Sequence, residues 1–81
     1  MSPGDLDMKW NAVARALLVG RRIVEVGYMT REEADGLGWS RRPVVLTLDD
    51  GTTIYPSSDD EGNDGGSLFT SDKGNPVLPV L

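Results

Sequence analysis

Apolar positions change their spacing repeatedly along the 81-residue chain, and each change marks an element. From about Asp7, the residues Trp10, Val13, Ala14, Leu17 and Leu18 recur at i, i+3, i+4, i+7 and i+8, the repeat of a helix with one apolar face. Lys9, Asn11 and Arg15 lie mostly off that stripe, Asp5 or Asp7 can cap the first amides, and Gly20 is a natural stop. A helix of this length draws its stability from docking rather than propensity, so the stripe, Trp10 included, is expected to pack on the rest of the domain. From Arg21 to Thr30 the repeat shortens to two: Val24, Val26 and Tyr28 alternate with Ile23, Glu25, Gly27 and Met29, which predicts a strand. Gly27 marks a bend, a bulge or a close backbone approach within it. Thr30-Arg31-Glu32-Glu33 is a capping box and starts a short helix from Arg31 to about Gly36, ended by Gly36 and Gly38. Its acidic first turn is accounted for by the helix dipole. Trp39 is expected to plug the sheet edge.

The stretch Pro43 to Gly66 organises the remainder. Val44, Leu46 and Leu48 share one face of a strand that runs into Asp49-Asp50-Gly51. A three-residue turn with Gly51 left-handed pairs Leu46 with Ile54 and Leu48 with Thr52, whereas a two-residue Asp50-Gly51 turn pairs Leu46 with Tyr55. Burial favours keeping Ile54 on the apolar face, so the three-residue turn is expected. Pro56 ends the returning strand. Ser57 to Gly66 has no periodicity, and Ser58-Asp59-Asp60-Glu61 is a second capping-box match with room for one helical turn. Ser67 to Thr70 and Val77 to Leu81 predict two last short strands, the second at an edge because Pro76 and Pro79 lack amide protons. The fold class is therefore α+β. An N-terminal helix and one short helix pack on a small, mainly antiparallel sheet of four or five strands, for which an SH3-like roll is one available form. Residues 1–6 are expected as a flexible tail and 7–81 as a single domain.

Composition narrows the chemistry. The chain holds no cysteine and no histidine, which removes disulfides, thiolate metal sites and the commonest general base. Its longest apolar run, Ala16 to Val19, is far too short to span a bilayer, and a cytoplasmic protein is expected. The net charge of -5 is unevenly spread. Residues 1–42 carry seven basic and six acidic side chains, and residues 43–81 carry one basic and seven acidic. An acidic domain repels a phosphate backbone. Arg21-Arg22 and Arg41-Arg42, with Arg15 and Lys9, are the only route to nucleic-acid binding, and they lack aromatic interleaving.

The dense cluster of hard ligands is Asp59, Asp60, Glu61, Asn63 and Asp64, set among glycines, and it is the candidate divalent-cation (calcium or magnesium) site. Its spacing departs from the calcium-loop template. Counted from Asp59, the sixth residue is Asp64 where glycine is required, and the twelfth is Thr70; counted from Asp60, Gly65 falls correctly but Gly62 and Ser71 replace ligands. The competing expectation is structural, since Asp, Asn and Ser bond their own backbone in compact loops. Paired carboxylates such as Asp59 with Glu61 or Asp64 lack a cleft, and Ser57 and Ser58 lack a base, so no catalytic residue and no cofactor is expected.

Three runs carry a resemblance. They are Leu18 to Val26 (Leu-Val-Gly-Arg-Arg-Ile-Val-Glu-Val), Met29 to Trp39 (Met-Thr-Arg-Glu-Glu-Ala-Asp-Gly-Leu-Gly-Trp), and Leu48-Asp49-Asp50-Gly51-Thr52 through Pro56 to Phe69. Together the chain from Leu17 to Leu81 resembles an uncharacterised family of short bacterial proteins with this hairpin and this Ser-Ser-Asp-Asp-Glu-Gly-Asn-Asp-Gly-Gly loop. The resemblance implies a bacterial source and carries over no activity. The functional expectation is a non-catalytic module that acts through a protein partner, with a homodimer through the C-terminal strand as one form of partnership.

Overall fold

A computed structural model describes residues 3–81 and shows an α+β arrangement. Helix α1 spans Pro3–Leu18, strand β1 Ile23–Tyr28, helix α2 Arg31–Leu37, and strands β2 to β5 Val44–Leu48, Thr53–Ile54, Leu68–Phe69 and Val77–Leu78. Two small antiparallel sheets form, one in the order β1-β2-β3 and one of β4 with β5, where one sheet of four or five strands was expected. An SH3-like roll does not emerge from these two sheets.

The hairpin follows from its turn. Leu46 pairs with Ile54, Leu48 N–H donates to Thr52 at 2.8 Å, and Gly51 sits at φ +88°. That is the three-residue turn, and Asp50 Oδ1 holds it by accepting from Thr52 N–H at 3.0 Å. Between β1 and β2 the register slips between Ile23 and Glu25, so the irregularity of β1 lies at Val24 and not at Gly27. Met29 N–H then extends the ladder to the Pro43 carbonyl.

Helix α2 starts on its capping box: Glu33 N–H donates to Thr30 Oγ1, and Thr30 N–H donates back to Glu33 Oε1, each at 3.0 Å. Gly38, at φ +76°, closes it, and Gly36 lies inside the helix. The core gathers here. Met29, Ala34 and Trp39 form one buried cluster with Val45 against it, and Pro43, Val44 and Leu48 are buried outside that cluster.

Helix α1 departs from expectation at both ends of the argument. It begins at Pro3, so residues 3–6 are helical where a flexible tail was expected; the rest of that tail, residues 1 and 2, lies outside the described residues. Proline presets the backbone angle of a first helical turn and Asp5 complements its dipole, which favours the earlier start. The docking expectation also fails, because Leu6, Trp10, Val13 and Leu17 are all 45–58 % exposed. A four-residue connection through Gly20, at φ +80°, carries the chain from α1 into β1 without folding the stripe back over the sheet. The radius of gyration, 14.4 Å, exceeds the roughly 12 Å of a compact chain of this length.

Candidate functional site

Two regions hold the side chains that chemistry can use: the acidic loop, and the apolar surface of α1 and β1.

The loop is closed at its neck by antiparallel contacts. Ser57 bridges Gly65, Ser58 N–H donates to the Asp64 carbonyl at 2.9 Å, and Gly66 N–H donates to the Pro56 carbonyl at 3.0 Å. Instead of a helical turn at Ser58, a reverse turn brings Gly62 N–H toward the Asp59 carbonyl. Asp59 is its hub. Its Oδ1 accepts from Glu61 N–H at 3.0 Å and Asn63 N–H at 3.2 Å, while Oδ2 accepts from Asn63 Nδ2 at 2.8 Å. Asn63 Nδ2 also reaches Glu61 Oε2 at 3.5 Å.

Asp64 works on a different set of atoms. Its Oδ1 accepts from Arg41 N–H at 2.9 Å and Gly65 N–H at 2.8 Å, and its Oδ2 accepts from the Ser40 hydroxyl at 2.7 Å. Trp39 joins the same junction: its indole N–H donates to the Gly62 carbonyl at 2.7 Å, and its ring meets Tyr55 edge-on with centroids 5.8 Å apart. The fit is close. A Cβ on Gly65 would stand 2.7 Å from Pro43 Cδ, and one on Gly66 would stand 2.7 Å from the Ser57 carbonyl oxygen.

The five residues proposed as metal ligands are thus divided. Asp59, Glu61 and Asn63 come together, Asp64 turns to Ser40 and Arg41, and Asp60 is exposed. Among the described residues no group of three or more His, Cys, Asp or Glu side chains is arranged to hold a metal ion. Asp59 and Asp64 are acceptors for the chain's own donors, and this sets their acidity. Asp64 is held below the ordinary carboxylate range by the Ser40 hydroxyl and then Arg41 N–H; Asp59 is lowered by the Asn63 side chain and then its N–H.

The arginine pairs also have local partners. Arg21 reaches Asp49 at 3.9 Å and Asp50 at 3.4 Å across the hairpin turn. Arg42 exchanges two backbone hydrogen bonds with Leu81, each 3.0 Å, so the C-terminal residue is engaged within its own chain, as β5 is with β4. Two shallow cavities lie on opposite sides of the main sheet. One, of about 330 Å³, is lined by Leu46, Ile54, Tyr55, Pro56 and Leu68. The other, of about 340 Å³, lies between α2 and the sheet beside Met29, Leu37 and Tyr55, with Glu33 as its acidic group.

The second region is the larger unsatisfied surface. Along α1 the residues Leu6, Trp10, Val13 and Leu17 are spaced four, three and four apart, an a/d-type repeat on one helix face. On β1, an edge strand, Ile23, Val24 and Val26 are each more than half exposed. Sequence reasoning recovered most of the stripe but assigned it to this domain's own core and left out Leu6.

Comparison with protein-family models, with curated proteins and with solved structures returned no match.

Proposed function

We propose that the protein is a non-catalytic protein-interaction module of the bacterial cytoplasm, and that its contact surface is the apolar seam of α1 together with the exposed face of β1. One observation carries the reading: a well-formed amphipathic helix whose entire apolar stripe is open. A sixteen-residue helix without tertiary cover is marginal in water, so its stripe calls for an occupant. The surface accounting agrees. The chain exposes 6018 Å², against about 4,800 Å² for a compact protein of its mass. An open apolar helix face marks an association site. The ordered loop fits the same reading as a brace, holding residues 39–43 and 57–66 as one block.

The test is site-specific photocrosslinking in the native cell from Val13, compared with the same probe in a Trp10→Glu background. The expected result is a crosslinked protein adduct that the substitution abolishes, while the unfolding midpoint of the purified chain, compared in the monomeric state, stays unchanged. If the adduct persists in the Trp10→Glu background, or if the substitution unfolds the sheet, the seam is not the contact surface. No helix among the described residues is long and apolar enough to cross a membrane.

A further inference from the structure

The occupant of this surface can be named by its chemistry. We infer that it is a second copy of this chain, with α1 paired antiparallel against the partner's α1 in an isologous dimer; this deepens the interaction-module reading and rests on it. The seam is its own complement under reversal. Leu6 and Leu17 are equidistant from the midpoint between Asn11 and Ala12, and so are Trp10 and Val13. An antiparallel pair therefore seats Leu6 on the partner's Leu17 and Trp10 on the partner's Val13, the a-to-d pairing such helices use. Each large residue faces a smaller or equal one, whereas a parallel pair would stack Trp10 on itself.

Charge selects the same orientation. The amino-terminal part of α1 carries Asp5 and Asp7, and its carboxy-terminal end carries Arg15, with Arg22 beyond. Reversal lays each acidic end against a basic one and aligns the two helix dipoles favourably. Flanking the seam, Asp7 and Lys9 are matched across the pair by Ala14 and Ala16, so no like charges meet and the small side chains leave room for the indole.

The area suffices. Leu6, Trp10, Val13, Leu17, Leu18, Ile23, Val24 and Val26 are 39–58 % exposed. Without Val24, which lies on the other face of β1 from Ile23 and Val26, they offer on the order of 600 Å² per protomer, the low end of a specific interface. The helical stripe supplies somewhat more than half of that, and the edge strand β1 supplies the rest.

The absence of cysteine makes the arrangement directly readable. Full-length chain is examined by sedimentation, and Leu6→Cys chains are mixed with Leu17→Cys chains under mild oxidation. The expected results are a mass twice 8.8 kDa, loss of that dimer in Val13→Glu, and disulfides between unlike chains only. Disulfides between two Leu6→Cys chains would show a parallel seam and overturn the arrangement. A dimer whose introduced thiols stay reactive and unpaired would place the contact elsewhere and overturn it too. A monomer with both thiols rapidly alkylated would remove the second copy while leaving the surface for a different protein. A monomer with both thiols protected would mean that α1 folds back on its own sheet, and the interaction-module reading would fall as well.

Discussion

Helices α1 and α2 precede and follow the same strand in the chain, yet Ala34 on α2 is fully buried while Trp10 on α1 is 58 % exposed. What separates them is the return path of the chain. After α2, Gly38 turns left-handed and Trp39 N–H bonds back to the Ala34 carbonyl at 2.8 Å, so the next residue is delivered into the core. Arg31 reinforces the return, donating from Nε to Asp35 at 3.0 Å and from Nη1 to the Ser40 carbonyl at 2.9 Å. After α1, Gly20 leads straight into β1, and the Arg21 contacts with Asp49 and Asp50 fix the start of the strand to the hairpin turn. The turn after α1 closes locally instead, with Arg21 N–H donating to the Leu18 carbonyl at 3.2 Å. The same chain thus contains a cohesive block, whose polar groups are consumed internally, and an arm whose apolar groups are not.

The two tryptophans divide along that line, and exchanging each for alanine gives the largest contrast. Trp39→Ala removes a buried ring, its edge contact with Tyr55 and its bond to Gly62, and is expected to cost about 3–5 kcal/mol. A domain of this size holds only about 4–12 kcal/mol in total, so the loss is a large fraction of its stability and the urea midpoint should fall sharply. Trp10→Ala should leave the urea midpoint of a chain held monomeric almost unchanged. Equal losses from the two substitutions would erase the distinction between block and arm.

The glycines of the loop come next. Alanine at Gly65 meets Pro43 Cδ and the Arg41 carbonyl oxygen at 3.0 Å, and alanine at Gly66 meets Ser57 backbone atoms. Backbone cannot yield as a side-chain tip can, so each is expected to cost about 1–3 kcal/mol in chemical denaturation. Both positions lie in the segment that sequence reasoning offered to a metal. An unchanged midpoint would show the loop to be detachable from the block.

Acid should act on the same region. Asp64, Asp59, Asp50 and Glu33 all titrate below their ordinary values, the last two through the Thr52 and Thr30 N–H groups. A carboxylate lowered on folding stabilises the native state above its unfolded pKa, because the unfolded chain binds the extra proton. That stabilisation is fully present above the reference values of 4.5 for Glu33 and 3.8 for the aspartates. It is lost as pH falls through the lower folded values. Urea midpoints should therefore be flat near neutrality and fall steeply below about pH 4. Asp64→Asn should lower the neutral midpoint and flatten the acid limb. An acid limb unaffected by Asp64→Asn would mean that the Ser40 and Arg41 bonds contribute nothing.

How much of this was legible in the sequence depends on the range of the interaction. The hairpin register followed from local demands, Gly51 at the left-handed position and Ile54 on the face of Leu46, and the structure has both. The capping box of α2 was equally local. The loop was not, because its decisive bonds join residues 23 and 24 apart: Trp39 to Gly62, Arg41 to Asp64 and Ser40 to Asp64. Carboxylates that accept from a distant backbone and carboxylates that await a cation have one composition. The arm failed for another reason. An amphipathic stripe states that a face needs cover, and it is silent about which surface provides it.

The smallest effect sharpens the contrast, because one change in helix propensity can be made on both helices. Gly36 lies inside α2 with open space where a Cβ would stand and without positive φ, so Gly36→Ala should stabilise by about 0.5–1 kcal/mol. Because α2 is locked into the core through Ala34, the gain should appear in the midpoint of the whole block. Asn11→Ala, off the seam of α1, improves propensity by up to about 0.7 kcal/mol. In a Val13→Glu background, which removes the seam contact, that gain should raise helical circular dichroism and leave the block's midpoint in place. A midpoint that moved with Asn11→Ala would reveal energetic coupling between α1 and the sheet, and α1 would then belong to the cohesive block.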